Sequence, residues 1–147
     1  MLCFLGVCLA ITMQVYQTQV TRVPGYVTQM RYTPALVFLA HNDVSGDEFS
    51  KLGYGDVVEV NGDRYIVREI VSMQATEPRN PAADLIDLED GKRYTAKETW
   101  LRIYGHKGAL VLQTCIQRGS EEAWGRLFII AERDNEQLYE QLARYIK

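Results

Sequence analysis

Apolar positions along this chain fall in short runs broken by turn residues, the pattern of a β-rich domain rather than of long amphipathic helices. Residues 35–40 form a continuous apolar run of strand length that ends at His41. Residues 42–47 are polar and read as a loop, and residues 48–52 as a short helical turn. Residues 57–60 and 64–73 flank Asn61-Gly62-Asp63, the strongest hairpin signal in the chain, because Asn-Gly tolerates the positive φ angles of a tight turn. Residues 76–83 carry Pro78 and Pro81 and predict an irregular surface loop. Residues 85–88 read as a short strand or turn, and Asp90-Gly91 as another break. Residues 99–104 alternate weakly and predict a strand, followed by a Gly-rich turn at 105–108. Residues 109–116 form a strand rich in Leu and Val, residues 117–125 a polar loop, and residues 126–131 a final strand. The period changes only at the end. Asp134 can cap a helix with Gln137 at the reciprocal capping-box position, and Leu138, Leu142, Tyr145 and Ile146 share one face. The pattern predicts a mostly β domain: a closed antiparallel barrel with short helical turns and a C-terminal helix docked on it.

Residues 1–12 stand apart as a nearly all-apolar segment without a charged side chain. The run is shorter than the roughly 20 residues that span a bilayer, and no Lys or Arg precedes it as in a signal peptide. It reads as a strand, as the remnant of an anchor, or as sequence upstream of a true start at Met13. Residues 13–147 form the main domain.

Composition narrows the function classes. A length of 147 residues fits one domain that can bury a core without metals or disulfides. The net charge of −3 argues against a nucleic-acid partner, which would need a basic face. With two histidines, three cysteines and no C-x-x-C, there is no metal-ligand cluster, and no Asp/Glu group suits calcium. No cofactor is expected. Cys3 and Cys8 read as two buried thiols in an apolar segment in preference to a bridge, because so short a loop is often strained.

Cys115 closes the segment Val111-Leu112-Gln113-Thr114-Cys115 at the end of an apolar strand. Arg126 opens the next strand as Arg126-Leu127-Phe128-Ile129-Ile130-Ala131. Far upstream, His41 ends its own strand as Leu39-Ala40-His41-Asn42, followed in order by Phe49, Leu52 and Gly55-Asp56-Val57-Val58. This ordered set resembles the sortase family of cysteine transpeptidases, whose signature strand reads Thr-Leu-x-Thr-Cys. Val111 replaces the first Thr, and Ala40 stands where Gly is common. From His41 to Cys115 is 74 residues (115 − 41), and from Cys115 to Arg126 is 11 (126 − 115). A papain-like peptidase would place Cys before His. The family barrel opens with two strands upstream of its His. Residues 14–20 read as one of them, while the other is compressed into residues 1–12 or missing.

The resemblance implies a division of labour. Cys115 is the nucleophile, and an ordinary thiol near neutral pH is only a few per cent thiolate, so it needs activation. His41 serves as general acid toward the leaving amine and as base for the incoming one. Arg126 offers fixed donors to the oxyanion or to the substrate backbone. His106 is the rival histidine, in a turn nine residues before the Cys. Thr114, Trp124 and Asn42 are candidate substrate contacts. Asn42 or Asp43 could orient His41, and the loop around Pro78–Pro81, with Met73 and Ala75, lies where the family varies substrate recognition. The resemblance further implies secreted substrate proteins bearing a sorting signal, and an amine acceptor such as peptidoglycan or a pilin-like protein. The location would be extracytoplasmic, at the cell surface, with membrane association through a missing or truncated anchor. The competing reading is a non-enzymatic β-barrel module that binds extended peptides at a sheet edge. Thiol reactivity separates the two.

Overall fold

The structure is a computed structural model and describes residues 1–15 and 19–146. Its strands are β1 (Leu2–Phe4), β2 (Val7–Met13), β3 (Tyr26–Gln29), β4 (Leu36–Leu39), β5 (Val57–Val60), β6 (Asp63–Ala75), β7 (Leu85–Asp87), β8 (Arg93–Tyr94), β9 (Leu110–Arg118) and β10 (Glu121–Arg133). A 3₁₀ helix covers Gly46–Lys51, α1 covers Ala96–Tyr104 and α2 covers Asn135–Ile146. The strands run in the order β10-β9-β4-β3-β2-β1-β5-β6, and β6 pairs with β10 to close a ring of eight. β7 and β8 extend the sheet beyond β6. All pairings are antiparallel except β2 with β3 and β4 with β9, which are parallel.

Two apolar clusters lie on the two faces of this sheet. One fills the barrel and includes Leu2, Phe38, Phe49, Leu110, Leu112 and Ile129. The other includes Val37, Val111, Met73, Phe128 and, from α1, Ile103. β9 therefore buries both faces of its first half, which is why residues 109–112 read as continuous apolar sequence without alternation. The sequence-predicted turn with special backbone needs forms. Asn61 and Gly62 sit at φ +49° and +89° between the paired Val60 and Asp63.

The apolar run at the N-terminus makes the hairpin β1–β2, turning through Leu5-Gly6 at φ +48° and +78°. β1 then pairs with β5 through Leu2↔Val60 and Cys3↔Glu59, and this pairing completes the ring. Residues 14–20 do not supply a strand in their described part, and residues 16–18 lie outside the described residues. Cys3 and Cys8 are not two buried thiols. They are a directly opposed pair on β1 and β2, with Cα atoms 4.1 Å apart, joined by a disulfide. The closing pair of the hairpin is Phe4↔Val7, so Cys3 and Cys8 occupy the next cross-strand position, where side chains of neighbouring strands approach closely.

Three further sequence expectations are corrected. Residues 99–104 are the last two-thirds of helix α1, not a strand. Its start is at Thr95, whose hydroxyl accepts from the Glu98 amide as a capping residue does, and whose side chain also meets the Glu98 carboxylate. Reading from Thr99 cut the capping signal from the apolar positions Trp100, Ile103 and Tyr104, which have helical spacing. Residues 117–125 are not a loop but the ends of β9 and β10, turning at Gly119-Ser120. They are polar because that end of the hairpin is largely exposed. Finally, α2 buries none of its residues. Asp134 accepts from the Glu136 amide, but Gln137 reaches out to the Arg64 amide and the Gly62 carbonyl rather than closing a capping box. The helix is anchored by its first turn, and Leu142, Tyr145 and Ile146 face solvent.

Candidate active site

The parallel ladder between β4 and β9 has a constant offset. Leu36 faces Leu110 and Leu39 faces Gln113, each 74 residues apart (110 − 36, 113 − 39). The Ala40 amide continues the ladder by donating to the Gln113 carbonyl at 3.1 Å. His41 and Cys115 are separated by the same 74 residues, so the interval seen in the sequence is the register of the sheet. On the other side of β9, Arg126 is the direct antiparallel partner of Cys115. Side chains of directly paired residues share a face. Because Leu110 and Leu112 point into the barrel, Val111, Gln113 and Cys115 point outward, with Phe128 and Arg126 beside them on β10.

Cys115 is a free, half-buried thiol. His41 is half-buried, and its Nε2–H donates to the Val20 carbonyl at 3.3 Å. Among the described residues no hydrogen bond joins His41 to Cys115. Arg126 is held by three carbonyls. Nη1 donates to Ala123 at 2.8 Å and Gly125 at 3.1 Å, and Nη2 donates to Pro78 at 2.9 Å. The Pro78 contact joins the 76–83 loop to the floor of a groove of about 290 Å³ lined by Leu39, Pro81, Trp100, Tyr104, Gln113 and Arg126. Tyr104 donates to Gln113 under α1, and burial pushes its phenol well above the ordinary range, against the opposing charge of Arg126.

The supporting residues of the sequence pattern have packing roles. Phe49 and Leu52 are buried in the barrel cluster. Asp56 accepts from the Gly53 amide at 2.7 Å and so shapes the turn into β5. Gly46 approaches so closely that a Cβ there would lie 2.7 Å from the Ala40 carbonyl oxygen and 2.8 Å from that of His41. The 3₁₀ helix thus rests directly on the strand end that carries the histidine.

The other candidates divide. Thr114 is only 4% exposed and lies on the barrel face of β9, opposite in sense to Cys115. Asn42 donates to the Glu122 carbonyl at 3.1 Å and ties the end of β4 to the β9–β10 hairpin. Trp124 lies in β10, with the Arg118 guanidinium 4.0 Å over its ring. Asp43 pairs with Arg22 at 3.2 Å and does not orient His41. His106 is exposed in the turn before β9, at the far end of that strand from Cys115. The Pro78 and Val20 carbonyls escape sequence reasoning altogether, since any residue type supplies a carbonyl. Among the described residues no group of three or more His, Cys, Asp or Glu could hold a metal, and no helix is long and apolar enough to cross a membrane.

A closed eight-stranded β-barrel with a free cysteine and an arginine paired on adjacent strands defines the class of architecture. Solved structures then specify it: the chain has the sortase fold. It is similar to the sortase A of Listeria monocytogenes, with 13% identity, TM-score 0.57, and 90% of this chain and 84% of that one covered. It is likewise similar to sortase C-1 of Actinomyces oris (17% identity, TM-score 0.56, 90% and 71% covered). Sortase C2 of Group B Streptococcus pilus island 1 gives 15% identity and a TM-score of 0.54, with 90% and 72% covered. No protein-family model and no curated protein matches the sequence.

Proposed function

We propose that this chain is a cysteine transpeptidase that cleaves a sorting-signal peptide and transfers its acyl group to an amine. The observation that supports this most is the register: one half-buried free thiol, Cys115, has Arg126 as its direct partner on one side and His41 at the continuing offset on the other. A structural thiol has no need of this company. In the reaction the Cys115 sulfur attacks the scissile carbonyl, His41 protonates the leaving amine, and a thioacyl-enzyme remains. An incoming amine passes its proton to His41 and displaces the thiolate. Water in its place makes the enzyme a peptidase. With its Nε2–H held by the Val20 carbonyl, the imidazole has Nδ1 left to exchange these protons. Substrates would be secreted proteins bearing a sorting signal, with peptidoglycan or a pilin-like protein as acceptor, at an extracytoplasmic surface.

The test is incubation with a panel of labelled sorting peptides, read by mass spectrometry for an adduct on Cys115. Cys115→Ala should form none. His41→Ala should lower turnover by about 100-fold, the scale of a lost acid/base group, while His106→Ala stays within a few-fold. Turnover by the Cys115 variant, or the reverse ranking of the histidines, would overturn the assignment.

A further inference from the structure

The Cys3–Cys8 disulfide takes no part in the proposed reaction, yet it is placed to reach the segment that carries His41. Cys8 is exposed on β2, and Cys3 is half-buried on β1. Exposed disulfides are the ones most open to exchange with an external thiol. Next to Cys3, the buried ring of Phe4 meets the ring of Phe49, with centroids 5.8 Å apart. Phe49 is fully buried and belongs to the 3₁₀ helix Gly46–Lys51. That helix has little to hold it from within. The Ser45 side chain makes no capping hydrogen bond, and its hydroxyl is buried without a partner among the described residues. Hydrogen-bond geometry is also poorer in a 3₁₀ helix than in an α-helix, so tertiary packing must fix it. At its start the Gly46 amide donates to the His41 carbonyl at 2.8 Å, and the Val44 amide donates to the same oxygen at 3.1 Å. The bridge, Phe4, Phe49, Gly46 and His41 thus form one continuous run of contacts.

We infer that Cys3–Cys8 is a thiol–disulfide exchange site, open to a dithiol reductant, whose state sets how firmly the segment around His41 is held. Its bearing on catalysis rests on the transpeptidase reading above. In the exchange, one thiolate of the dithiol attacks the exposed Cys8 sulfur. A mixed disulfide forms, and the Cys3 sulfur leaves with the electron pair and takes up a proton. The second thiolate of the dithiol then attacks its own bridged sulfur and releases Cys8 as a thiol. The two electrons that reduce the bridge come from the dithiol, which is oxidised to a disulfide. β1 has three residues and pairs with β5 through Leu2↔Val60 and Cys3↔Glu59. While the bridge is closed, β1 cannot part from β2. Once it is reduced, the hairpin opens more easily, and each opening takes Phe4 away from Phe49 and loosens the helix that rests on His41.

The experiment compares amide hydrogen exchange of the full chain before and after treatment with dithiothreitol, without denaturant. The folded protein should yield Cys3 and Cys8 to alkylation once the dithiol is added. Exchange should then rise about 30-fold in residues 2–9, the chain-entropy effect of freeing so short a loop. It should rise together with this in residues 42–52, while residues 126–131 stay protected. The double variant Cys3→Ser/Cys8→Ser should show the same pattern with no dithiol, and the dithiol should change it no further. A bridge reduced only in denatured protein overturns the exchange site. A rise confined to residues 2–9, or one spread equally through residues 126–131, overturns the link to His41. None of these readouts needs a substrate. The expected exchange pattern with no adduct on Cys115 in either state would therefore count against the transpeptidase reading alone.

Discussion

Arg126 shows how one side chain takes its meaning from its partners. The guanidinium fork spans carbonyls of its own hairpin and of the 76–83 loop, so it is fixed over the groove before any substrate arrives. Lysine would keep the charge but not the planar fork. Arg126→Lys should therefore lose about 10²-fold in peptide transfer, the scale of a lost oxyanion donor, yet change iodoacetamide alkylation of Cys115 only a few-fold. Equal losses in both assays would mean that Arg126 acts on the thiol itself. At this scale the residues proposed for catalysis were legible, because Cys115, His41 and Arg126 sit in an ordered motif at strand ends. Their immediate contacts were not. His41 meets the Val20 carbonyl and Arg126 the Pro78 carbonyl, and main-chain oxygens leave no trace in residue identity.

Helix α1 roofs the groove, and its attachment is electrostatic as well as apolar. Arg102 donates to the buried Asp87 of β7 at 2.8 Å and stacks on Tyr94 of β8. Burial alone would raise the Asp87 pKa, but the hydrogen bond from Arg102, the Glu89 amide and the Arg102 charge outweigh it and leave the carboxyl below its ordinary value. The folded state thus binds that proton less readily than the unfolded chain. The stabilisation is complete above the unfolded carboxylate value of about 4 and disappears as pH falls through the lower, folded value. Asp87→Asn should cost about 1–3 kcal/mol at pH 7, as for a lost hydrogen bond to a charged group. It should also flatten the fall in Tm below about pH 4 relative to wild type. A variant with an unchanged acid limb would show that this pair does not hold the helix. The helix itself was hidden from the strand reading only because its Thr95 cap lay outside the window considered.

For the whole molecule, closure depends on a three-residue strand. β1 bridges β2 and β5, and the Cys3–Cys8 disulfide pins it to β2. Replacing both cysteines by serine should lower stability by about 2 kcal/mol, the chain-entropy value for so short a loop. Denatured protein should titrate one thiol without reductant and three after reduction. Three thiols before reduction would refute the bridge.

By itself the sequence determined the β-rich class and the Asn61-Gly62 hairpin, and it singled out the residues proposed as nucleophile and acid/base, because turn propensity, apolar runs and side-chain chemistry are local properties. Tertiary structure alone decided the rest. Whether residues 1–12 span, dangle or pair depends on a free edge at β5, which no local pattern announces. The C-terminal helix has an apolar stripe that local periodicity read as a docking face, yet its anchoring turn leaves that stripe in solvent. The side-by-side placement of Cys115 and Arg126 on the outer face arises only because β9 and β10 pair in this register and strand parity turns Thr114 into the barrel.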